Sequence, residues 1–149
     1  MAELRLSVTA DPRAQDRAAL VAGLAGFHEN LLGPAAAMPL AVFLRDGDEA
    51  VQGGLWGRSG HGWLFVELLF VAEAMRGRGL GAALLTAAEE EARARGCAGV
   101  RLDTMNPAAL RFYLRRGYES FGELADYPAG NRRVFLRKRL HAKTPETGA

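Results

Sequence analysis

A chain of 149 residues has the length of one domain and can bury about two thirds of the surface its unfolded form exposes. Apolar residues make up 49% and charged residues 24%, a balance that excludes a disordered chain, and no run reaches the roughly twenty apolar residues of a membrane span. The net charge is only +2; the late basic cluster Arg132, Arg133, Arg137, Lys138 and Arg139 reads as a solvated edge strand, so neither a nucleic acid nor a membrane is expected as partner.

Leu4 to Val8 alternates like a strand, and Asp11-Pro12 opens a helix running to Ala25. A second short helix is expected over Phe27 to Leu32, ended by Gly33-Pro34. Leu40 to Arg45 and Ala50 to Arg58 read as a hairpin, with Gly53-Gly54 marking a bulge or a close approach of two backbones. Trp63 to Val71 is almost wholly apolar, which predicts a central strand buried on both faces.

From Gly79 to Arg95 the apolar residues Leu80, Leu84, Ala87 and Ala88 recur at helical spacing. Glu89 with Arg93, and Glu91 with Arg95, form four-residue pairs on the wet side, and Gly96 caps the end. Cys97, the only cysteine, excludes an internal disulfide and reads as a small core residue; with no leader-like N-terminus, the expected compartment is cytoplasmic. Val100 to Thr104 is a strand, Asn106 to Arg116 a helix, and Tyr118 to Leu124 with Arg132 to Arg139 a hairpin. One domain is expected over residues 2–140, helices packing on both faces of one mixed sheet, with 141–149 a loose polar tail.

The loop Arg76-Gly77-Arg78-Gly79-Leu80-Gly81 lies between the apolar strand and the long helix. Alternating glycines let the backbone approach a ligand closely, and the first helical turn leaves its N–H groups without internal partners. Converging amides at the positive end of a helix dipole, with Arg76 and Arg78 beside them, suit a diphosphate. The same glycines, with Asp103 closing the next strand, also resemble a dinucleotide fingerprint and so a nucleotide-dependent oxidoreductase. Against that, Ala72 to Met75 separate the strand from the glycines.

Read with the motif Asn106-x-x-Ala109-x-x-Phe112-Tyr113 and with Arg116-Gly117-Tyr118, the apolar strand VELLFV and the glycine loop make the sequence strongly resemble the GNAT superfamily of N-acetyltransferases. The resemblance spans Gly53 to Tyr118. It implies an α/β fold of the α+β kind, with a mixed, mostly antiparallel sheet of about seven strands flanked by about four helices. It implies acetyl-coenzyme A as cosubstrate and direct attack by an amine of a small molecule or peptide in a ternary complex; no metal is expected, because His28, His61 and His141 are widely spaced with no neighbouring Cys or acidic pattern. Laid on matching positions, the diphosphate falls on Arg76, Gly77, Arg78, Gly79, Leu80 and Gly81, the pantetheine arm pairs with Leu69, Phe70 and Val71, and Asn106 contacts the cofactor. Tyr113 touches the cofactor as the general acid that protonates the departing thiolate.

Glu67, the only ionisable residue between Trp63 and Val71, is the candidate base, acting directly or through water; it is equally readable as a carboxylate satisfied by an arginine. By analogy the acceptor is held by the early helices and the late hairpin, at His28, Glu29, Asn30, Asp126 and Tyr127. A homodimer is allowed by the same analogy. The alternative within this resemblance is a non-catalytic module that binds or senses an acyl-coenzyme A.

Overall fold

The computed structural model describes residues 2–141, so the expected C-terminal tail lies outside the described residues apart from His141. The chain divides into two compact units, Met1–Ala35 and Ala36–Ala149. The first contains one helix, α1 (Ala14–Leu32). Two helices had been expected, but Gly26 sits inside a helix at a tolerable cost of about 1 kcal/mol, and the break comes only at Gly33, whose N–H donates to Glu29 O at 2.9 Å. Leu4 to Val8 forms no strand: alternation does not make a strand where no ladder satisfies its backbone groups.

The second unit is a six-stranded sheet in the order β1-β2-β3-β4-β6-β5. Its strands are β1 (Met38–Arg45), β2 (Val51–Gly60), β3 (Trp63–Val71), β4 (Gly99–Thr104), β5 (Glu119–Ala125) and β6 (Arg132–Arg139). Every neighbouring pair is antiparallel except β3 with β4. That single parallel pair requires a crossover, supplied by a 3-10 turn (Glu73–Met75) and α2 (Leu80–Ala94). A last helix, α3 (Pro107–Arg115), joins β4 to β5. The described residues contain no helix long and apolar enough to cross a membrane.

The core lies between one sheet face and these two helices. Leu55, Leu64, Val66, Val100, Leu102, Val134 and Leu136 meet Leu85, Ala88 and Ala92 of α2 and Tyr113 of α3. The alternate residues of the strands point the other way, so β3 is not buried throughout as expected: Glu67, Leu68 and Phe70 are exposed. A register shift between Trp56 and Gly57 leaves Glu67 as the extra residue of β3. At Gly57 an added Cβ would lie 2.3 Å from Phe65 O, so only glycine permits that approach. The expected close approach at Gly53-Gly54 is also present, an added Cβ on either meeting a backbone oxygen at 2.7 Å.

Glu89 corrects the sequence reading most plainly. It is buried, not on the wet side, accepting from Tyr118 Oη at 2.7 Å and from Lys138 Nζ at 3.0 and 3.2 Å. Arg93 turns to Glu90 instead, at 3.0 Å, while the expected Glu91–Arg95 pair forms at 3.0 Å. The basic run of β6 is not on an edge strand, because β5 lies outside it. Arg132 and Arg137 pair with Glu123 and Glu119 of β5, and Arg133 pairs with Asp103 of β4. Cys97 is a buried core residue, as read, and burial pushes its thiol up.

Candidate active site

The β3–β4 ladder holds only from Trp63–Gly99 to Phe65–Arg101. Beyond Phe65 the strands part, and the stretch Leu69 to Val71, paired with β2 but not with β4, becomes one wall of a groove of about 720 Å³. The glycine loop forms its end. Arg76 donates from Nε to Val71 O at 3.0 Å, fastening the loop to the strand. Gly77 and Gly79 have φ of 80° and 73°, a region that an L side chain enters only with strain. Gly79 is the N-cap of α2 with no side-chain hydrogen bond, so the first amides of that helix are left for a ligand.

The opposite wall is α3. Asn106 caps it, accepting at Oδ1 from Ala108 N at 2.9 Å and Ala109 N at 3.4 Å, with Pro107 in the first turn. This is the favoured helix start, and Asn106, expected to contact the cofactor, also lines the groove. The groove is lined further by Phe112, Tyr113, Arg115 and Arg116. Arg116 lies 5.3 Å from the centre of the Phe112 ring. Among the described residues no carboxylate lines this groove, whereas three arginines do, Arg76, Arg115 and Arg116, so it favours an anion.

Tyr113 is 6% exposed and set edge-on between Phe112 and Tyr118, with ring centres 5.3 and 5.7 Å away. Burial first, and the nearby Asp103 carboxylate second, push its phenol up to about 12. Its hydroxyl has no hydrogen-bond partner among the described residues yet is not sealed in the core, so it is a protonated donor on a side chain that lines the groove.

The structure therefore brings together Leu69, Phe70, Val71, Arg76, Gly77, Gly79, Leu80, Gly81, Asn106 and Tyr113. Arg78 does not line the groove: of the loop arginines, Arg76 alone is turned in, by its bond to Val71. Phe112, Arg115 and Arg116 line the groove as well, beyond the positions the resemblance assigns to the cofactor, although the four-residue spacing of Phe112 and Arg116 puts both on one helix face. Glu67 does not line this groove either. It lies on the other sheet face, one oxygen paired with Arg58, its second oxygen without a partner among the described residues. Tyr127 belongs to the β5–β6 turn, 41% exposed, with Asp126 beside it. His28, Glu29 and Asn30 stand on α1 in the first unit.

The dinucleotide reading loses its footing in this geometry. A mostly antiparallel sheet, with a 3-10 turn between the strand and the glycines, does not offer the doubly wound crevice that reading needs.

Residues 10–118 match the model of the acetyltransferase (GNAT) family. An acetyltransferase of Agrobacterium fabrum (strain C58) is 50% identical over 101 residues, covering 68% of this chain and 74% of that protein. A blasticidin-S acetyltransferase of Streptomyces morookaense is 42% identical over 91 residues, 60% of this chain and 67% of that one. Among solved structures, a proposed acetyltransferase of Agrobacterium tumefaciens superposes with a TM-score of 0.85 at 42% identity, covering 93% of this chain and all of the other (100%). A split between parallel strands, a glycine loop at a helix start and a groove-lining tyrosine thus occur in a chain that belongs to the GNAT acetyltransferase family, an acyl-CoA N-acyltransferase that moves the acetyl group of acetyl-coenzyme A.

Proposed function

We propose that this enzyme acetylates an amine of a small molecule by direct attack in a ternary complex, with acetyl-coenzyme A in the groove between β3 and α3. The observation that carries the proposal is that one groove unites the glycine loop, the end of β3 left open on its β4 side and Tyr113. In this reading the amides of Gly77 to Gly81 and the dipole of α2 hold the diphosphate. The amide-bearing pantetheine arm adds to the free edge of β3 at Leu69 to Val71 as an extra strand would. A β3 backbone N–H then faces the thioester carbonyl and stabilises the oxyanion, an effect often worth about 3 kcal/mol.

The amine attacks the carbonyl carbon, the tetrahedral intermediate collapses, and the C–S bond breaks with its electron pair on sulfur. Tyr113 gives its proton to that sulfur. The proton of the amine leaves through water toward Glu67, whose free oxygen lies beside the opening of the strands; with its other oxygen on Arg58, Glu67 suits a relayed better than a direct role. Asn106 acts by holding the start of α3, and hence the position of Tyr113. A small-molecule acceptor is supported by the likeness to a blasticidin-S acetyltransferase. A cytoplasmic setting is supported by the single cysteine, and a homodimer by the outer edge of β5, which pairs with β6 on one side only. Following release of free coenzyme A thiol over a panel of amines tests the reading directly; release with at least one amine is expected, and binding without release from any of them would leave only an acyl-coenzyme A sensor.

A further inference from the structure

On the sheet face turned away from α2 and α3, two carboxylates flank the place where β3 and β4 part. The last pair of that ladder is Phe65 with Arg101, and two residues further along the strands come Glu67 and Asp103. Each already holds a guanidinium, Arg58 on Glu67 and Arg133 on Asp103. The second arrangement has more walls. Both Nε and Nη2 of Arg133 approach one oxygen of Asp103, and the guanidinium carbon lies 5.0 Å from the centre of the Tyr127 ring. Tyr127 is fixed there by Asn131, whose Nδ2 donates to Tyr127 O at 2.8 Å and to Met105 O at 2.9 Å, just past the end of β4.

A planar cation thus sits between a carboxylate and an aromatic face. The neighbouring pairs Arg132–Glu123 and Arg137–Glu119 have side chains about half exposed, whereas the Asp103 side chain is 18% exposed. Open pairs of the first kind contribute little; a partly dehydrated carboxylate needs its cation. Asp103 stands two residues past Phe65–Arg101, the last pair of the β3–β4 ladder, so the cradle lies beside the opening between the two strands.

We propose that Asp103 and Tyr127 form a clamp for a positive group of the acceptor, filled in the free protein by Arg133, so that the acceptor carries a guanidinium or ammonium group besides the amine that is acetylated. The proposal rests on the acetyl-transfer reading above. An arriving cation takes over both partners of Arg133, and Asp103 is never left unpaired. A neutral tail offers neither partner anything and leaves Arg133 in place.

The test is steady-state thiol release with two amines of similar length, agmatine, which ends in a guanidinium, and n-pentylamine, which ends in a methyl. The wild type is expected to favour agmatine in kcat/KM. Asp103→Asn should cut that preference roughly tenfold, through the KM for agmatine rather than kcat, as loss of a charge-assisted pair does; Asp103→Glu should restore part of it. Tyr127→Leu, at an exposed turn position, should cut it about threefold by removing the aromatic face, and serves if Asp103→Asn folds poorly. A preference unchanged in both variants, or a wild type that favours n-pentylamine, overturns the clamp and leaves acetyl transfer standing. Thiol release from no amine at all overturns the acetyl-transfer reading and the clamp with it.

Discussion

Tyr113 is where a single side chain decides the most. It occupies a buried position among aromatic rings, which is where a packing residue belongs, but its hydroxyl has no protein partner among the described residues and its side chain lines the groove. Replacing it by Phe keeps the packing and removes only the proton donor. Turnover of Tyr113→Phe is therefore expected to fall about 100-fold, while calorimetric affinity for acetyl-coenzyme A is retained; unchanged turnover would remove Tyr113 from the mechanism. Its ionisation gives a second outcome. With the phenol pushed up to about 12 from an ordinary 10.0, the acid stays protonated through the usual assay range. The wild-type kcat should then show no alkaline fall before pH 10.0, where an unshifted tyrosine would be half ionised.

The elements that carry the site are set by their ends. Asn106→Ala removes two bonds to the first turn of α3 and should cost about 1 kcal/mol in chemical denaturation, together with a loss of turnover as Tyr113 loses its fixed position. At the start of α2, Gly79 and Gly81 look alike in sequence and differ in structure. Gly79 has φ 73°, so Gly79→Ala should destabilise by about 1–2 kcal/mol and weaken acetyl-coenzyme A. Gly81 is helical, and a Cβ there would meet Phe112 at 3.8 Å and Val71 at 4.0 Å, ordinary contacts, so Gly81→Ala should raise stability by about 0.5–1 kcal/mol. Comparing the denaturation midpoints of the two variants checks both signs. The bounds of β3 and β6 agree with the sequence reading, α2 is a residue shorter at each end and β4 a residue longer at its start, because apolar periodicity and glycine stops act locally. The strand expected at Leu4 to Val8 failed because a strand depends on what pairs with it.

Across the molecule, the buried Glu89–Tyr118–Lys138 group ties α2, the turn after α3 and β6 into one core. Tyr118 is raised above its ordinary value of 10.0, by burial first and then by its bond to the Glu89 carboxylate, and Tyr113 is raised as well. For such groups the unfolded chain ionises before the folded one, so stability is level below the ordinary phenol value of 10.0 and falls as pH rises above it. Tyr118→Phe should lower stability near pH 7 by about 1–3 kcal/mol, since Glu89 loses a buried donor, and should also flatten the alkaline fall. A variant whose urea midpoint follows the wild type at both ends of the pH range would contradict this account.

The sequence by itself determined which segments are helices and strands in the second unit, where the loop amides lie free, and which phenol stands on the helix beyond them, because each depends on residues within a few positions of one another. Only the tertiary structure decided that Glu89 is a core acid rather than a surface one, that Arg78 stays out of the groove while Arg115 and Arg116 line it, and that Glu67 lies on the far face beside Asp103. Those outcomes depend on which face a strand presents after a one-residue bulge and on cations arriving from a strand 30 or 49 residues away, as Arg133 does to Asp103 and Lys138 to Glu89. Spacing along the chain carries no record of such meetings.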